Sequence, residues 1–395
     1  MAAIAAATPR NPPVAVRPAA QALRNVELFG GAGGLALGLH AAGFDPLAII
    51  EKDVSCKETL EANGKDGRTH TANWTVHDED VATFDFSKLG EVDLLSAGAP
   101  CQPFSHGGHR KGHLDDRNLF PQVIRALHEI EPRAFVIENV RGLLFRDMEL
   151  YFKGLLRELR TPRRHLAPPG RRRRGRPPDE YKVFYRVLNA ADFGLPQNRH
   201  RLFTVGLLPE LADRWSWPEP THSKDTLLRA LLANDYWQEH GVPRRVRESV
   251  RGEIAKATRQ RLERQPPTGE RWRTVRDLLS ELPKPARSAK SAKDEWHLFV
   301  PDARLYAKHT GSRLDWPAKT VKAGVHGCPG GEHIVVFDDG SHRYFSVREC
   351  ALLQGFPPDY AFPKARTPAM RQIGNAVPLP VAAAVGKRLV EVLNG

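Results

Sequence analysis

The chain has 395 residues, 41% hydrophobic and 27% charged, a balance typical of globular proteins. No apolar run approaches the ~20 residues that span a bilayer, so the sequence excludes helical membrane spans. Its four cysteines form no CxxC pair, which argues against a disulfide framework and favours a reducing compartment. The formal charge of +13 favours a polyanionic partner, although an arginine-rich genome raises charge without one.

The first predicted elements have the order of a nucleotide-binding unit. After an Ala/Pro-rich tail that is expected to be disordered, residues 25–29 predict a strand, residues 30–34 (GGAGG) a loop and residues 35–42 a helix. Gly43 is the expected C-cap of that helix. When a strand, a glycine loop and a helix follow one another in this way, a ligand can come close to the backbone of the glycines, which have no side chains. It can also accept hydrogen bonds from the free N–H groups at the N-terminus of the helix.

Two acidic residues follow the glycine loop. The next predicted strand, 47–50, ends in Glu51, where a carboxylate can accept hydrogen bonds from ribose hydroxyls. Asp80 precedes the third strand and can bond an adenine amino group. A nicotinamide dinucleotide and an adenosyl ligand both fit this arrangement. The loop is not a clean GxGxxG, which favours the adenosyl ligand.

A cysteine follows the third predicted strand, 92–95, in the run 96–105 (SAGAPCQPFS). The carboxyl end of a parallel strand is where open α/β sheets bind their ligands. Pro100 and Pro103 restrict the backbone on either side of Cys101. We interpret Cys101 as a positioned nucleophile. A cysteine packed as a small hydrophobe in a tight turn is the alternative.

Polar side chains also follow later strands. A predicted helix over 119–130 leads to a strand over 134–137 that delivers Glu138 and Asn139 to the same sheet edge as Cys101. The last strand, 202–207, follows the run 197–201 (QNRHR). Because Arg199 and Arg201 alternate, their side chains are expected to share one face and converge on one site. A solvated β-edge is the alternative.

The pattern predicts an α/β fold with a doubly wound mixed sheet and a second, smaller, irregular domain. We expect a tail over residues 1–22, a ligand-binding catalytic domain over 23–207, the second domain over 208–342, and a segment over 343–395 that returns to the catalytic domain. Residues 161–180 are an Arg/Pro-rich insertion that contacts phosphates or is merely solvated. Tryptophans interleaved with basic residues in 208–342 fit a nucleic-acid reader, or the core of a small domain.

Six sequence blocks spread over residues 25–393 resemble those of the DNA cytosine-5 methyltransferases, in the family's order. The blocks are FGGAGG at 29–34, PCQ at 100–102, ENV at 138–140, QNRHR at 197–201, RECALLQGFP at 348–357 and GNAVP at 374–378.

The resemblance implies a Rossmann-like fold of the kind that binds S-adenosyl-L-methionine, with 208–342 as the target-recognition domain. It implies transfer of a methyl group to carbon 5 of a flipped-out cytosine through a covalent Cys101 adduct. The implied catalytic residues are Cys101, Glu138, Arg199 and Arg201. The implied cofactor contacts are Phe29, Gly31, Gly33, Gly34, Glu51, Asp80, Val81, Pro100, Leu119, Asn375 and Val377. The implied DNA contacts are Gln102, Ser105, Asn139 and Gln197, and no metal is implied.

The resemblance also implies double-stranded DNA as partner, a cognate restriction endonuclease that acts on the same site, a monomer, and a cytoplasmic location at the nucleoid. Relatives that methylate tRNA usually carry a Cys-Phe-Thr signature, which is absent from this sequence. A catalytically inactive regulator typically loses the Pro-Cys or Glu-Asn pair, and this chain keeps both. An NAD-dependent oxidoreductase leaves Cys101 and Glu138 unexplained.

Overall fold

The structure is a computed structural model that describes residues 22–65, 67–99, 119–163, 180–307, 309–324 and 331–395. The expectations for the tail, for residues 100–118 and for most of the Arg/Pro-rich insertion therefore lie outside the described residues. Pro100, Cys101, Gln102 and Ser105 are among these.

The described strands form one large sheet and two small ones. They are β1 (Leu23–Leu28), β2 (Phe44–Ile50), β3 (Val76–His77), β4 (Leu94–Gly98), β5 (Ala134–Val140), β6 (Lys182–Asn189), β7 (His200–Leu207), β8 (His222–Ser223), β9 (Glu270–Arg271), β10 (Ser312–Arg313), β11 (Ile334–Val336) and β12 (His342–Tyr344).

The described helices of the α type are α1 (Gly34–Ala42), α2 (Val54–Ala62), α3 (Phe120–Ile130), α4 (Glu149–Arg160), α5 (Lys224–Leu232), α6 (Asp235–Glu239), α7 (Arg244–Glu253), α8 (Lys256–Arg264), α9 (Val275–Ser280), α10 (Val347–Leu353), α11 (Arg366–Asn375) and α12 (Leu379–Asn394).

The large sheet has the strand order β3-β2-β1-β4-β5-β7-β6. Strands β1 to β5 run parallel to one another, whereas β7 is antiparallel to β5 and β6 is antiparallel to β7. Apolar residues of α3 and α4 cover one face, and those of α1 and α12 cover the other. The predicted α/β class with a doubly wound mixed sheet is confirmed.

The helix after the first strand matches its prediction closely. Gly33 (φ 82°) precedes α1 and Gly43 (φ 112°) ends it, both in the left-handed region that a residue with a Cβ avoids. The strand that carries Glu138 is longer than predicted. β5 continues through Val140, because Glu138 and Asn139 pair with β7.

Residues 208–342, the predicted second domain and below called the recognition region after that expectation, are continuous in packing or secondary structure with their neighbours at both ends. Trp215 and Trp217 still pack on the core shared by α1 and α12, so residue 208 is not a clean border. The border at residue 342 falls inside β12. Trp237 and Trp272 belong to the apolar cluster formed with helices α5 to α8, so these rings serve as the core of a small domain rather than as exposed base readers.

The last part of segment 343–395 packs against the large sheet beside α1. Helix α12 lies against α1 so closely that a Cβ on Gly38 would lie 2.5 Å from Ala382 Cβ and 2.7 Å from Leu379 O. Among the described helices, none combines the length and apolar composition needed to cross a membrane.

We expect Gly38→Ala to lower the free energy of unfolding by about 1–3 kcal/mol, because the added methyl group meets the backbone of α12. Gly154→Ala is the matched control, since Gly154 is also helical and has open space around it. That change should stabilise the protein by about 0.5–1 kcal/mol. Denaturant unfolding measures both variants, and equal shifts in one direction would contradict the packing described.

Candidate active site

The carboxyl ends of β1, β2, β4 and β5 meet at one edge of the large sheet. Leu28 pairs with Ala97, and Gly98 pairs with Glu138. The glycine loop, Glu51 and the chain leading to Cys101 therefore leave the sheet at one edge, and Glu138 lies at the same edge within β5. This is the ligand-binding edge of an open α/β sheet.

The glycine loop has a backbone shape that few side chains permit. Phe29 (φ 59°), Gly31 (φ 54°) and Gly33 (φ 82°) all lie in the left-handed region. A Cβ on Gly31 would meet nothing within 4 Å, so space for a ligand lies beside this residue. A Cβ on Gly34 would lie 2.7 Å from Val377 O, so close packing demands glycine there.

Glu51 fixes the loop to the end of β2. Its Oε2 accepts a hydrogen bond from Gly31 N at 2.8 Å, and its Oε1 accepts one from Asp53 N at 2.7 Å. Burial raises the pKa of the Glu51 carboxyl, against the lowering effect of these two N–H groups. Each oxygen keeps a further lone pair for a hydroxyl group, so Glu51 can still bind ribose.

Three other predicted cofactor residues, Asp80, Val81 and Leu119, differ in their exposure to solvent and in their hydrogen bonds. Asp80 is partly exposed, with 43% of its side chain accessible, and it accepts hydrogen bonds from Ala82 N and Lys52 Nζ. These two donors lower the pKa of Asp80. Val81 is buried in the core, so only its backbone is suited to a polar contact. Leu119 caps α3 and is half-buried.

Glu138 and Arg201 form a buried ion pair across β5 and β7. Arg201 Nε lies 2.9 Å from Glu138 Oε1, with 13% and 8% of the two side chains exposed. Burial raises the pKa of Glu138. The positive charges of Arg201 and Arg199 act to lower it, but the effect of burial is larger. The carboxyl group is thus suited to hold a proton.

Asn139 holds the chain that leads to the cysteine. Its Nδ2 donates to Ala99 O at 3.1 Å and its Oδ1 accepts from Val140 N at 2.8 Å. Only 3% of Asn139 is exposed. The predicted DNA contact of Asn139 is therefore replaced by a structural role, in which it anchors the residue just before Pro100.

Gln197 is buried in the protein, contrary to the predicted DNA contact. Its Nε2 donates to Leu353 O and Gln354 Oε1, and its Oε1 accepts from Val321 N. The amide thus joins the start of β7 to α10 and to the last part of the recognition region. Because it is completely buried, we no longer assign it to DNA.

Arg199 does not share the surroundings of Arg201. Its guanidinium is fully buried and donates to the carbonyl oxygens of Val321, Gly374 and Ala376 at 2.7–2.8 Å. These contacts tie the sheet to the recognition region and to the segment after α11. The positive charge of Arg199 acts to lower the pKa of Glu138, while its guanidinium group is bonded to the backbone at three points.

The segment after α11 closes the glycine loop from the other side. Val377 is buried and packs beside Gly34, and its Cγ2 would lie 3.8 Å from a Cβ on Gly98. Asn375 is the exposed last residue of α11. The predicted return of this segment to the loop is seen in the structure.

These features fit an adenosyl ligand. Open space beside Gly31, the amino end of α1 and the half-buried Glu51 carboxylate lie together, as a nucleoside with an attached charged chain requires. The residues brought to this edge are Phe29, Gly31, Gly33, Gly34, Glu51, Glu138, Arg201 and Val377. The sequence reasoning missed Tyr360, whose hydroxyl group bonds to Ala32 of the loop. No local pattern marks this residue.

Comparisons with known proteins agree with this geometry. A family model described as "C-5 cytosine-specific DNA methylase" matches residues 23–164 and 176–391. Type II methyltransferase M.NgoMIV of Neisseria gonorrhoeae is 32% identical over 374 residues, which are 94% of this chain and 98% of the relative. Type II methyltransferase M.Eco47II of Escherichia coli is 32% identical over 378 residues, which are 93% of this chain and 79% of the relative.

Two solved structures share the fold. The S. pombe Dnmt2 methyltransferase has a TM-score of 0.58 at 20% identity and covers 94% of this chain and 100% of its own. The Entamoeba histolytica methyltransferase EhMeth has a TM-score of 0.56 at 14% identity, with 94% and 98% covered. The family match over most of the chain, together with the glycine loop and the buried Glu138, shows that this protein belongs to the C-5 cytosine-specific DNA methylase family and is a DNA cytosine-5 methyltransferase that uses S-adenosyl-L-methionine.

Proposed function

We propose that the chain methylates carbon 5 of one cytosine in a specific duplex sequence, with Cys101 as nucleophile and Glu138 as acid. The observation that carries this assignment is the buried Glu138–Arg201 pair. It lies beside Gly98, at the end of the strand that leads to Cys101. A nucleophile and an acid on neighbouring strand ends can act on the same ring.

The proposed first step forms a bond between the Cys101 thiolate and carbon 6 of cytosine. The electrons of the 5,6 double bond move into the ring, and ring nitrogen 3 takes up the proton of the Glu138 carboxyl. Burial raises the pKa of Glu138, which favours the protonated carboxyl group that this step requires. Arg201 holds the carboxyl group and is suited to bind the base carbonyl oxygen.

When bound, S-adenosyl-L-methionine supplies the electrophilic methyl group that carbon 5 takes. The residues proposed to hold it are Phe29, Gly31, Gly33, Gly34, Glu51, Asp80, Val81, Pro100, Leu119, Asn375 and Val377. To complete turnover, Glu138 recovers its proton from ring nitrogen 3. A water molecule at the site then takes the proton of carbon 5, and the electrons of that C–H bond re-form the 5,6 double bond as the bond to Cys101 breaks and releases the thiolate.

The proposed partner is double-stranded DNA. A duplex hides both faces of the ring, so the target base must be flipped out, with Gln102 and Ser105 as proposed contacts. The relatives named Type II methyltransferases support the proposal that this enzyme is the modification half of a restriction–modification system. Single-molecule sequencing of DNA from a host that expresses the protein should find 5-methylcytosine in one short motif.

One chain carries every proposed group, so the proposal requires only a monomer. Light scattering during size-exclusion chromatography should give a mass near 44.1 kDa. A stable dimer would contradict this part of the proposal while leaving the chemistry intact.

We expect Cys101→Ala to abolish methyl transfer to DNA, because no other group adds to carbon 6, while binding of DNA and S-adenosyl-L-methionine is retained. Incorporation of a labelled methyl group measures transfer. Cys350→Ala is the matched control, since Cys350 is a buried cysteine and is not among the residues proposed to act on the base or to hold the donor. Retained transfer in Cys101→Ala would refute the assigned nucleophile.

We expect Glu138→Gln to lower kcat by about 10²–10⁴-fold with little change in the Kd of S-adenosyl-L-methionine. The acid must be protonated to act, so wild-type kcat should fall as pH rises through the raised pKa of Glu138. The glutamine variant should lack this fall because its amide does not titrate. A pH–rate profile that is the same for both proteins would exclude the assigned acid.

Substitutions of Arg199 and Arg201 should have different effects, the first mainly on stability and the second mainly on the reaction rate. Arg199→Met removes three hydrogen bonds to buried carbonyl oxygens, one of which, Ala376 O, also accepts from Gln354 Nε2, so we expect a loss of about 2–4 kcal/mol of unfolding free energy. Arg201→Met should cost less stability but lower kcat strongly, because the Glu138 carboxyl loses its partner. Denaturant unfolding and single-turnover rates test the pair, and an unchanged rate in Arg201→Met would refute its role.

A further inference from the structure

Tyr360 lies under the glycine loop and is completely buried. Its hydroxyl group donates to Ala32 O at 2.8 Å, across 328 residues of sequence. We propose that Tyr360 is a positioning residue for S-adenosyl-L-methionine, acting through the backbone of the glycine loop. This inference rests on the proposed role of that loop.

The hydrogen bond completes the fixation of one peptide group. The carbonyl oxygen of Ala32 is held by Tyr360, and the N–H of the same peptide, on Gly33, donates to Gly30 O at 2.9 Å. On one side of this peptide, Gly31 N is held by Glu51. A loop with several left-handed residues has no regular hydrogen-bond pattern of its own, so such contacts determine its shape.

Tyr360 is itself fixed from two directions. Arg348 Nη1 donates to Tyr360 O at 2.8 Å, and Arg348 Nε pairs with Asp294 of the recognition region at 2.6 Å. The side-chain amide of Asn63, just after α2, bonds both N and O of Ala361 at 2.8 and 2.9 Å. The hydroxyl group therefore reaches Ala32 from a frame that spans both parts of the protein.

The ring of Tyr360 is held among aromatic neighbours. Its centroid lies 5.0 Å from that of Phe356 and 5.3 Å from that of Phe362. These contacts supply packing that a phenylalanine at position 360 would keep. Burial raises the pKa of the Tyr360 phenol, so the group remains a donor. Removal of the hydroxyl group alone therefore isolates its contact with Ala32.

The chain offers a close control in Tyr181. This residue is also buried, with a hydroxyl group that donates to a carbonyl oxygen, Pro132 O, at 2.7 Å. Its ring packs against Phe135 with centroids 5.2 Å apart. Pro132 lies at the start of β5, at the end of the strand away from Glu138. Loss of either hydroxyl group should cost similar stability, while only one of them touches the loop.

The test compares Tyr360→Phe with Tyr181→Phe in the full chain. Titration calorimetry with S-adenosyl-L-methionine should show a Kd raised about three- to tenfold in Tyr360→Phe, the worth of one hydrogen bond. Tyr181→Phe should keep the wild-type Kd with a similar fall in Tm. Under saturating donor, kcat of Tyr360→Phe should stay near wild type, so the effect falls on KM.

A rescue variant covers the case in which Tyr360→Phe does not fold. 4-Aminophenylalanine at position 360 keeps an N–H donor toward Ala32 and should restore the wild-type Kd. An equal Kd in Tyr360→Phe and Tyr181→Phe, or a rescue variant with the Kd of Tyr360→Phe, would overturn the proposal. Wild-type protein that fails to bind the donor would instead refute the proposed function of the loop.

Discussion

The arrangement of the site depends on a carboxyl group placed inside a sheet. Glu138 lies within β5, between β4 and β7, with only 6% of the residue exposed. Burial of a charge is costly unless a partner compensates for it. Arg201 is that partner, yet burial still raises the pKa of Glu138. The same burial that makes the charge costly therefore favours the protonated form of the carboxyl group, which is the form that an acid needs.

The edge that carries Glu138 is held in place by contacts with residues far away in sequence. Gln197 and Arg199 bond to the recognition region at Val321, and Arg199 also bonds to the segment after α11. Tyr360, which lies between α10 and α11, bonds to Ala32 of the glycine loop. The nucleophile strand, the acid, the loop and the recognition region thus form one connected framework. A substitution that moves the backbone of one of these parts is expected to move the parts that are hydrogen-bonded to it.

The sequence predicted those features whose causes are local. Strand, glycine loop and helix were placed correctly because Gly33 and Gly43 mark the ends of α1, and parallel strands bring Glu51 and Glu138 to one edge. The sequence did not predict that Gln197 and Arg199 are buried, since a polar run is typical of an exposed segment. Arg199 donates to backbone carbonyl oxygens, the nearest of which is 122 residues away in sequence, and Gln197 bonds to backbone and side-chain amide groups that are similarly distant in sequence. Backbone acceptors leave no signal in the side-chain pattern.

The covalent mechanism is the central claim, and a duplex made with 5-fluorocytosine tests it most directly. The fluorine on carbon 5 cannot leave as a proton does, so the enzyme should remain bonded to its base after methyl transfer. With S-adenosyl-L-methionine present, we predict an adduct that survives denaturation and maps by peptide mass spectrometry to Cys101. No adduct on DNA of random sequence, or an adduct at another residue, would contradict the mechanism.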